Sequence, residues 1–404
     1  MPLRQTRLSR RQVIASAALF PWAWGAFAAD AAAWEKIEKA ARGQSVYFNA
    51  WAGSERINAY LQWAGAELEK RFGVQLEHVK IGDTAEVVKR VRAEKQAGRA
   101  AGGSVDAVWI NGENFSAMKR EALLFGPFAE SLPAYPGVDT TGKPTTRIDF
   151  SEPVGGMEAP WGMAQLTFYA DAKRVPHPPR SIAELLEFAR KNPGRITYPK
   201  PPNFHGTTFV KQVLLEVSAD RTPFYAPVPS AGFDTLTAPL WRTLDALHPL
   251  QWRQGKQFPA NNAAMRQMLS DGELLMSLSF NPNEAANEIA AKRLPDSVVS
   301  WQHSGGTIAN THFIAIPFNA RAKEGAQVLI NFMLSPRAQA RKADIRYWGD
   351  PTVLAVERLA TPDQALFNDS AAPGSVSMPA PALPEPHASW VPALEREWLR
   401  RYGQ

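Results

Sequence analysis

Ser45-Val46-Tyr47-Phe48-Asn49-Ala50-Trp51 sets Val46, Phe48 and Ala50 on alternate positions and halts at Gly53. A period of two belongs to a strand, whose successive side chains leave on opposite faces. The next residues change period. Ile57, Tyr60, Leu61, Ala64, Leu68 and Phe72 fall on one helical stripe, with Ser54 placed to cap its start and Gly73 its end. Residues 74–81 read as a second strand. Asp83 and Glu86 then form a capping-box pattern ahead of Val87, Val88 and Val91. Residues 105–110 read as a third strand, ending in Asn111-Gly112-Glu113-Asn114. This alternation predicts parallel strands joined by crossover helices, hence an α/β lobe.

Working outward, the pattern recurs less regularly. Residues 166–169 read as a strand, Ser181 caps a helix through Leu185 and Phe188, and residues 196–199 read as a short strand. The loop Asn203-Phe204-His205-Gly206-Thr207-Thr208 opens a helix carrying Phe209, Val213 and Leu214. Residues 274–280 alternate and run into Asn281-Pro282-Asn283-Glu284, read as N-cap, N1 proline and N3 glutamate. These elements predict a second α/β lobe. Residues 311–317 give another strand, 326–334 a helix, and Trp390, Leu394 and Trp398 mark a helix at the end. Residues 371–386, rich in Pro and Ala, read as an irregular wrap or a loop.

The N-terminus reads as an address. Arg10-Arg11 precede an apolar run and then Ala26-Phe27-Ala28, an A-x-A cleavage pattern. Residues 1–28 are therefore expected to be a cleaved signal of twin-arginine type, with the general secretory route as the alternative. The charge supports this division. The chain of 404 residues carries 45 Lys and Arg against 39 Asp and Glu, and four of the arginines lie in the leader. Taking those four away leaves 41 against 39, so the mature chain gives no general argument for nucleic acid or an anionic membrane. With no cysteine, a disulfide, a thiolate nucleophile and a lipidated-cysteine anchor are all excluded.

Catalytic and cofactor signatures are missing. There is no G-x-S-x-G, no H-E-x-x-H and no P-loop, and the seven histidines are scattered. No cofactor and no metal is expected. What recurs instead is placement: polar and aromatic residues stand just after predicted strands, where the crevice of an open α/β sheet takes its ligands. The candidate ligand-binding residues are Asn49, Trp51, Asn111, Asn114, Trp161, Thr207, Thr208 and Asn281. The tryptophans would stack on a flat or cationic group, and the helix starts after Gly206 and Asn281 would favour an anionic end. A secreted hydrolase or lyase using two cleft carboxylates is the rival reading.

Several segments together resemble the extracytoplasmic solute-binding proteins of ABC importers, in the YnjB-like branch of the type II periplasmic-binding fold. They are Val46-Tyr47-Phe48-Asn49-Ala50-Trp51, Gly103-Ser104-Val105-Asp106 with Trp109, Pro160-Trp161-Gly162, Ser277-Leu278-Ser279-Phe280-Asn281-Pro282, Asn331-Phe332-Met333-Leu334-Ser335-Pro336 and Trp348-Gly349-Asp350-Pro351. The resemblance runs from Trp34 to the C-terminus. It implies two lobes joined by hinge strands, with residues 30–164 and 314–404 in lobe 1 and 165–313 in lobe 2. It also implies a monomer of the periplasm, a small solute between the lobes, and delivery to an inner-membrane permease. Thiamine-like or other cationic, aromatic solutes head the expectation, and sugars follow. The tyrosine pair of ferric-binding relatives is missing here.

Overall fold

The computed structural model describes residues 22–367 and 372–403. Arg10-Arg11 and the apolar run up to Pro21 lie outside them. Helix α1 (Trp22–Ala41) leads into β1 (Ser45–Trp51), α2 (Glu55–Phe72), β2 (Gln75–Ile81), α3 (Thr84–Gln96), β3 (Ala107–Ile110) and α4 (Gly112–Arg120). The C-cap of α2 and the N-cap of α3 act as read, but Ser54, at the N-cap of α2, makes no side-chain cap bond. Gly73 takes the left-handed conformation at φ 65° and donates its N–H to Glu69 O, and the Asp83 side chain accepts from Ala85 N.

A hairpin of β4 (Ile148–Asp149) and β5 (Glu152–Pro153) precedes β6 (Glu158–Gln165) and β7 (Thr167–Asp171). Then come α5 (Ile182–Lys191), α6 (Phe204–Val217), α7 (Phe233–Leu247), α8 (Asn262–Ser270), β8 (Ser277–Ser279), α9 (Glu284–Ala290), β9 (Val298–Trp301) and β10 (Thr307–Ala315). The chain closes with α10 (Lys323–Met333), α11 (Pro336–Ala343), α12 (Thr361–Gln364), β11 (Ala382–Leu383) and α13 (Trp390–Tyr402).

The first sheet runs β11-β10-β3-β1-β2, with β6 also on β10. Strands β1, β2 and β3 are parallel, so Trp51, Ile81 and Ile110 finish along one edge. Strand β10 is antiparallel to β3 and β6. The faces of β1 separate cleanly. Val46, Phe48 and Ala50 enter a core with Ile57, Tyr60 and Leu61 of α2 and Val328, Leu329 and Phe332 of α10. Each large apolar side chain so buried contributes about 1.5–3 kcal/mol.

The second lobe departs from expectation. Its sheet, β8-β7-β9, has three strands and is antiparallel throughout. Residues 196–199 form no strand. Asn281 is not the N-cap of α9. Asn283 holds that position without a side-chain cap bond, and the Asn281 carboxamide oxygen instead accepts from Asn283 N at 2.9 Å.

The crossing point can be read from core membership. Along β6, Ala159 and Trp161 pack in the first core and Ala164 in the second; along β10, Ile308 packs in the second and Ile314 in the first. The division of the tail needs correcting. Leu383 and, on α13, Trp390, Leu394 and Trp398 pack with Phe209 and Leu214 of α6, so the end of the chain belongs to the second lobe. Residues 372–386 do form a wrap, with β11 pairing in parallel with the start of β10.

Candidate functional site

The edge where β1, β2 and β3 finish carries Trp51, Asp83 and the start of α4. It meets α6 and α13 of the second lobe. Glu113, in the first turn of α4, feels the charges of Asp83, Glu395 on α13 and Lys211 on α6. Burial drives the Glu113 carboxyl up to about 7, helped by Glu395 and Asp83 and opposed by Lys211. The residue keeps part of its surface in solvent, and Asp83 is exposed, so the seam is open to water on that side. Burial also raises Glu395, against the pull of the Thr207 hydroxyl, which donates to it at 2.7 Å, and of Lys211.

Lys211 is already paired. Its ammonium is buried, donates to Glu385 at 2.6 Å and lies 4.4 Å from the centre of the Phe150 ring. Asn310 donates to the other Glu385 oxygen at 3.1 Å. Phe150 also presses on Gly112, where a Cβ would come within 2.9 Å of its ring; Gly112 holds φ 60°, so its lack of a side chain is needed twice. Asp149 accepts from Gly112 N at 2.5 Å, and burial holds its carboxyl well above the usual range. The seam thus contains Asp83, Glu113 and Glu395, from both lobes, and a lysine paired with Glu385.

The residues expected to bind ligand divide into groups. Asn111, Asn114 and Thr207 lie at the seam. Asn111 is the N-cap of α4 and makes no cap bond, Asn114 donates to Glu113 at 3.2 Å, and Thr207 holds Glu395. Thr208 is buried beside Thr207 and its hydroxyl has no partner. Trp51 ends β1, partly exposed, with its ring folded over Gly53.

The others lie elsewhere. Asn49 is buried on the α3 face of β1, opposite to Phe48 and Ala50, and accepts from Arg90 at 3.3 Å. Trp161 is 0% exposed. It is enclosed by Trp109, Trp348, Phe48 and Tyr60, with ring centres 5.0–6.4 Å away. No ligand reaches the Trp161 ring in this conformation. Asn281 turns toward Trp348 O, at 3.5 Å.

Reading from sequence missed Lys211, Glu395 and Phe204. Phe204 opens α6 with 39% of its surface exposed, its ring 5.2 Å from Phe280, inside the loop already singled out for Gly206 and Thr207. Glu395 gave no signal, because the tail helix was expected on the other lobe. Glu113 stood inside the quoted Asn-Gly-Glu-Asn motif but was passed over for its asparagines.

Among the described residues, no helix is long and apolar enough to cross a membrane, and no three His, Cys, Asp or Glu side chains gather as a metal-holding group.

Comparison with known proteins places this architecture. Crystal structures of similar fold include the spermidine/putrescine substrate-binding protein PotD of Streptococcus pneumoniae (TM-score 0.59, 13% identity, 89% of this chain and 98% of that one). The periplasmic binding protein AfuA of Actinobacillus pleuropneumoniae is another (TM-score 0.60, 13% identity, 89% and 99%). Both share the two-lobed type II fold. In sequence, Protein YnjB of Escherichia coli K12 is 47% identical over 377 residues, covering 93% of this chain and 95% of the relative. The model of the family described as bacterial extracellular solute-binding protein matches residues 63–365. The chain belongs to the bacterial extracellular solute-binding proteins.

Proposed function

We propose that this chain captures a small organic cation between its lobes in the periplasm and hands it to an inner-membrane permease. In this reading export removes residues 1–28 and the protein works as a monomer. One observation carries the choice of ligand: Glu113 of one lobe feels the negative charge of Asp83 and of Glu395 on the other lobe, at a seam whose lysine is already engaged by Glu385. Carboxylates that feel each other's charge in a partly desolvated site repel, and a bound cation relieves that repulsion. A neutral sugar would hydrogen-bond them without supplying charge. A cation with a flat part, such as a thiamine-like compound, would also use Trp51 or Phe204, where a ring face is worth about 0.5–2 kcal/mol to it.

The test is calorimetry on mature protein with thiamine-like cations, aliphatic amines and neutral sugars. The expected result is a cation that binds with roughly micromolar or better affinity and loses at least about tenfold with Glu113→Gln or Glu395→Gln, a loss equal to one charge-assisted hydrogen bond. Tight binding of a sugar, unaffected by either variant, would overturn the choice of ligand.

Glu113 favours a second reading. A carboxyl half-protonated near neutral pH beside a second carboxyl is also what a hydrolase or lyase would use as acid and base. The same calorimetry cells, assayed for product, separate the two readings: capture leaves the compound intact.

A further inference from the structure

A second junction joins the lobes, built from amides and carbonyls. The N-terminal half of α9, on lobe 2, stands against the loop at Trp348 and Gly349 of lobe 1. The Asn283 carboxamide donates to Gly349 O at 2.7 Å and that of Asn287 to Trp348 O at 2.6 Å. Asn281 reaches the same Trp348 carbonyl at 3.5 Å. From the other side, Arg56 of α2 donates to Asn287 O at 3.0 Å and to the carbonyls of Ile345 and Arg346, also at 3.0 Å. One arginine thus spans both lobes. Glu288 attracts its charge and Arg293 repels it.

Both partners are held rigidly from behind. Trp348 is anchored in the aromatic cluster with Trp109, Trp161 and Tyr60. The base of α9 is fixed through Glu284, which accepts from Arg266, Asn262 and Ser279. Gly349, at φ 78°, brings its backbone so close that a Cβ would stand 3.0 Å from the Cβ of Asn283. The residues of the acidic seam take no part in these bonds.

We propose that Asn283 and Asn287, with Arg56, form a catch that holds the two lobes together without solute. They are positioning residues: they act through the lobe equilibrium, setting affinity by fixing how much of the protein is closed before ligand arrives. A binding-competent state that is only partly populated weakens apparent affinity by that fraction, and a catch removes the loss. Each hydrogen bond removed shifts the closed-to-open ratio by roughly fivefold.

The chain has no cysteine, so two introduced ones are unique. Glu69→Cys on α2 and Lys191→Cys on α5 are exposed positions on opposite lobes. Spin labels there, read by pulsed electron resonance on the full mature chain, report lobe separation without solute. The expected result is one dominant short distance in the parent. A longer distance should grow with Asn283→Ala, grow further with Asn283→Ala plus Asn287→Ala, and be intermediate with Arg56→Lys. A parent already at the long distance would overturn the proposal. So would a double variant that melts cooperatively and keeps the parent's distribution. Should the double variant not fold, Asn283→Ala, which removes one bond from a partly exposed residue, decides alone. No solute enters the measurement, so the choice of ligand can fail without touching the result.

Discussion

Gly162 on β6 faces Asp350 so closely that a Cβ at 162 would lie 2.1 Å from the Asp350 Oδ2. Around that carboxylate the Lys342 ammonium donates at 2.5 Å and His312 of β10 bonds at 3.1 Å. Burial would raise Asp350, but Lys342 and His312 outweigh it and hold the carboxyl below the usual range. The missing side chain at 162 is what lets this group sit beneath the crossing strands. Gly162→Ala should destabilise by about 3 kcal/mol, the upper part of the range for overpacking, read from denaturant midpoints. Gly305→Ala, where nothing lies within 4 Å of the added carbon, is the control and should leave the midpoint unchanged.

Lys211 and Glu385 make a second prediction. Both are buried, and removing one partner leaves the other charged and dry. Lys211→Met should cost about 3–5 kcal/mol. The double change Lys211→Met with Glu385→Leu should recover most of that loss. Equal stability of single and double variants would show that the pair is not coupled.

Trp161 and Trp51 should separate packing from binding. Trp161→Ala opens a cavity in the aromatic cluster and should lower stability by about 3–5 kcal/mol. Trp51→Ala, at a partly exposed strand end, should cost under about 1 kcal/mol while weakening cation binding. Thermal melts paired with calorimetry read both quantities.

Glu113 predicts the pH dependence. Its folded value, about 7, lies above the ordinary carboxylate value, so the proton it holds stabilises the folded state at low pH. That contribution is present below the unfolded value and fades as pH rises through 7. A cation favours the ionised form, so binding expels the proton and affinity should rise with pH. The slope should approach about tenfold per unit below 7 and flatten above it. Proton release, measured by calorimetry in buffers of different ionisation heat, should fall in Glu113→Gln. A flat profile in the parent would contradict the assignment.

Much of the first lobe was legible in the sequence, because its signals are local. The alternation of Val46, Phe48 and Ala50, the helical stripe from Ile57 to Phe72 and the C-cap at Gly73 each name their own element. The second lobe was harder. Its strand β8 is three residues, buried on both faces, and β7 pairs backward with β8 and β9, which no short apolar run announces. The stripe of Trp390, Leu394 and Trp398 predicted a packed helix without saying against what, and Glu395 was lost with it. Asn49 misled for a simple reason: a strand places half of its residues on the far face, and there Arg90 was waiting.

The first and last described helices ride on different lobes. Helix α1 sets Trp34 and Ile37 against the first core, while α13 is built into the second. A donor fluorophore placed on α1 and an acceptor on α13 would therefore move with separate bodies. Energy transfer between them would follow lobe separation in real time, turning the intact protein into its own optical sensor for whatever solute it captures.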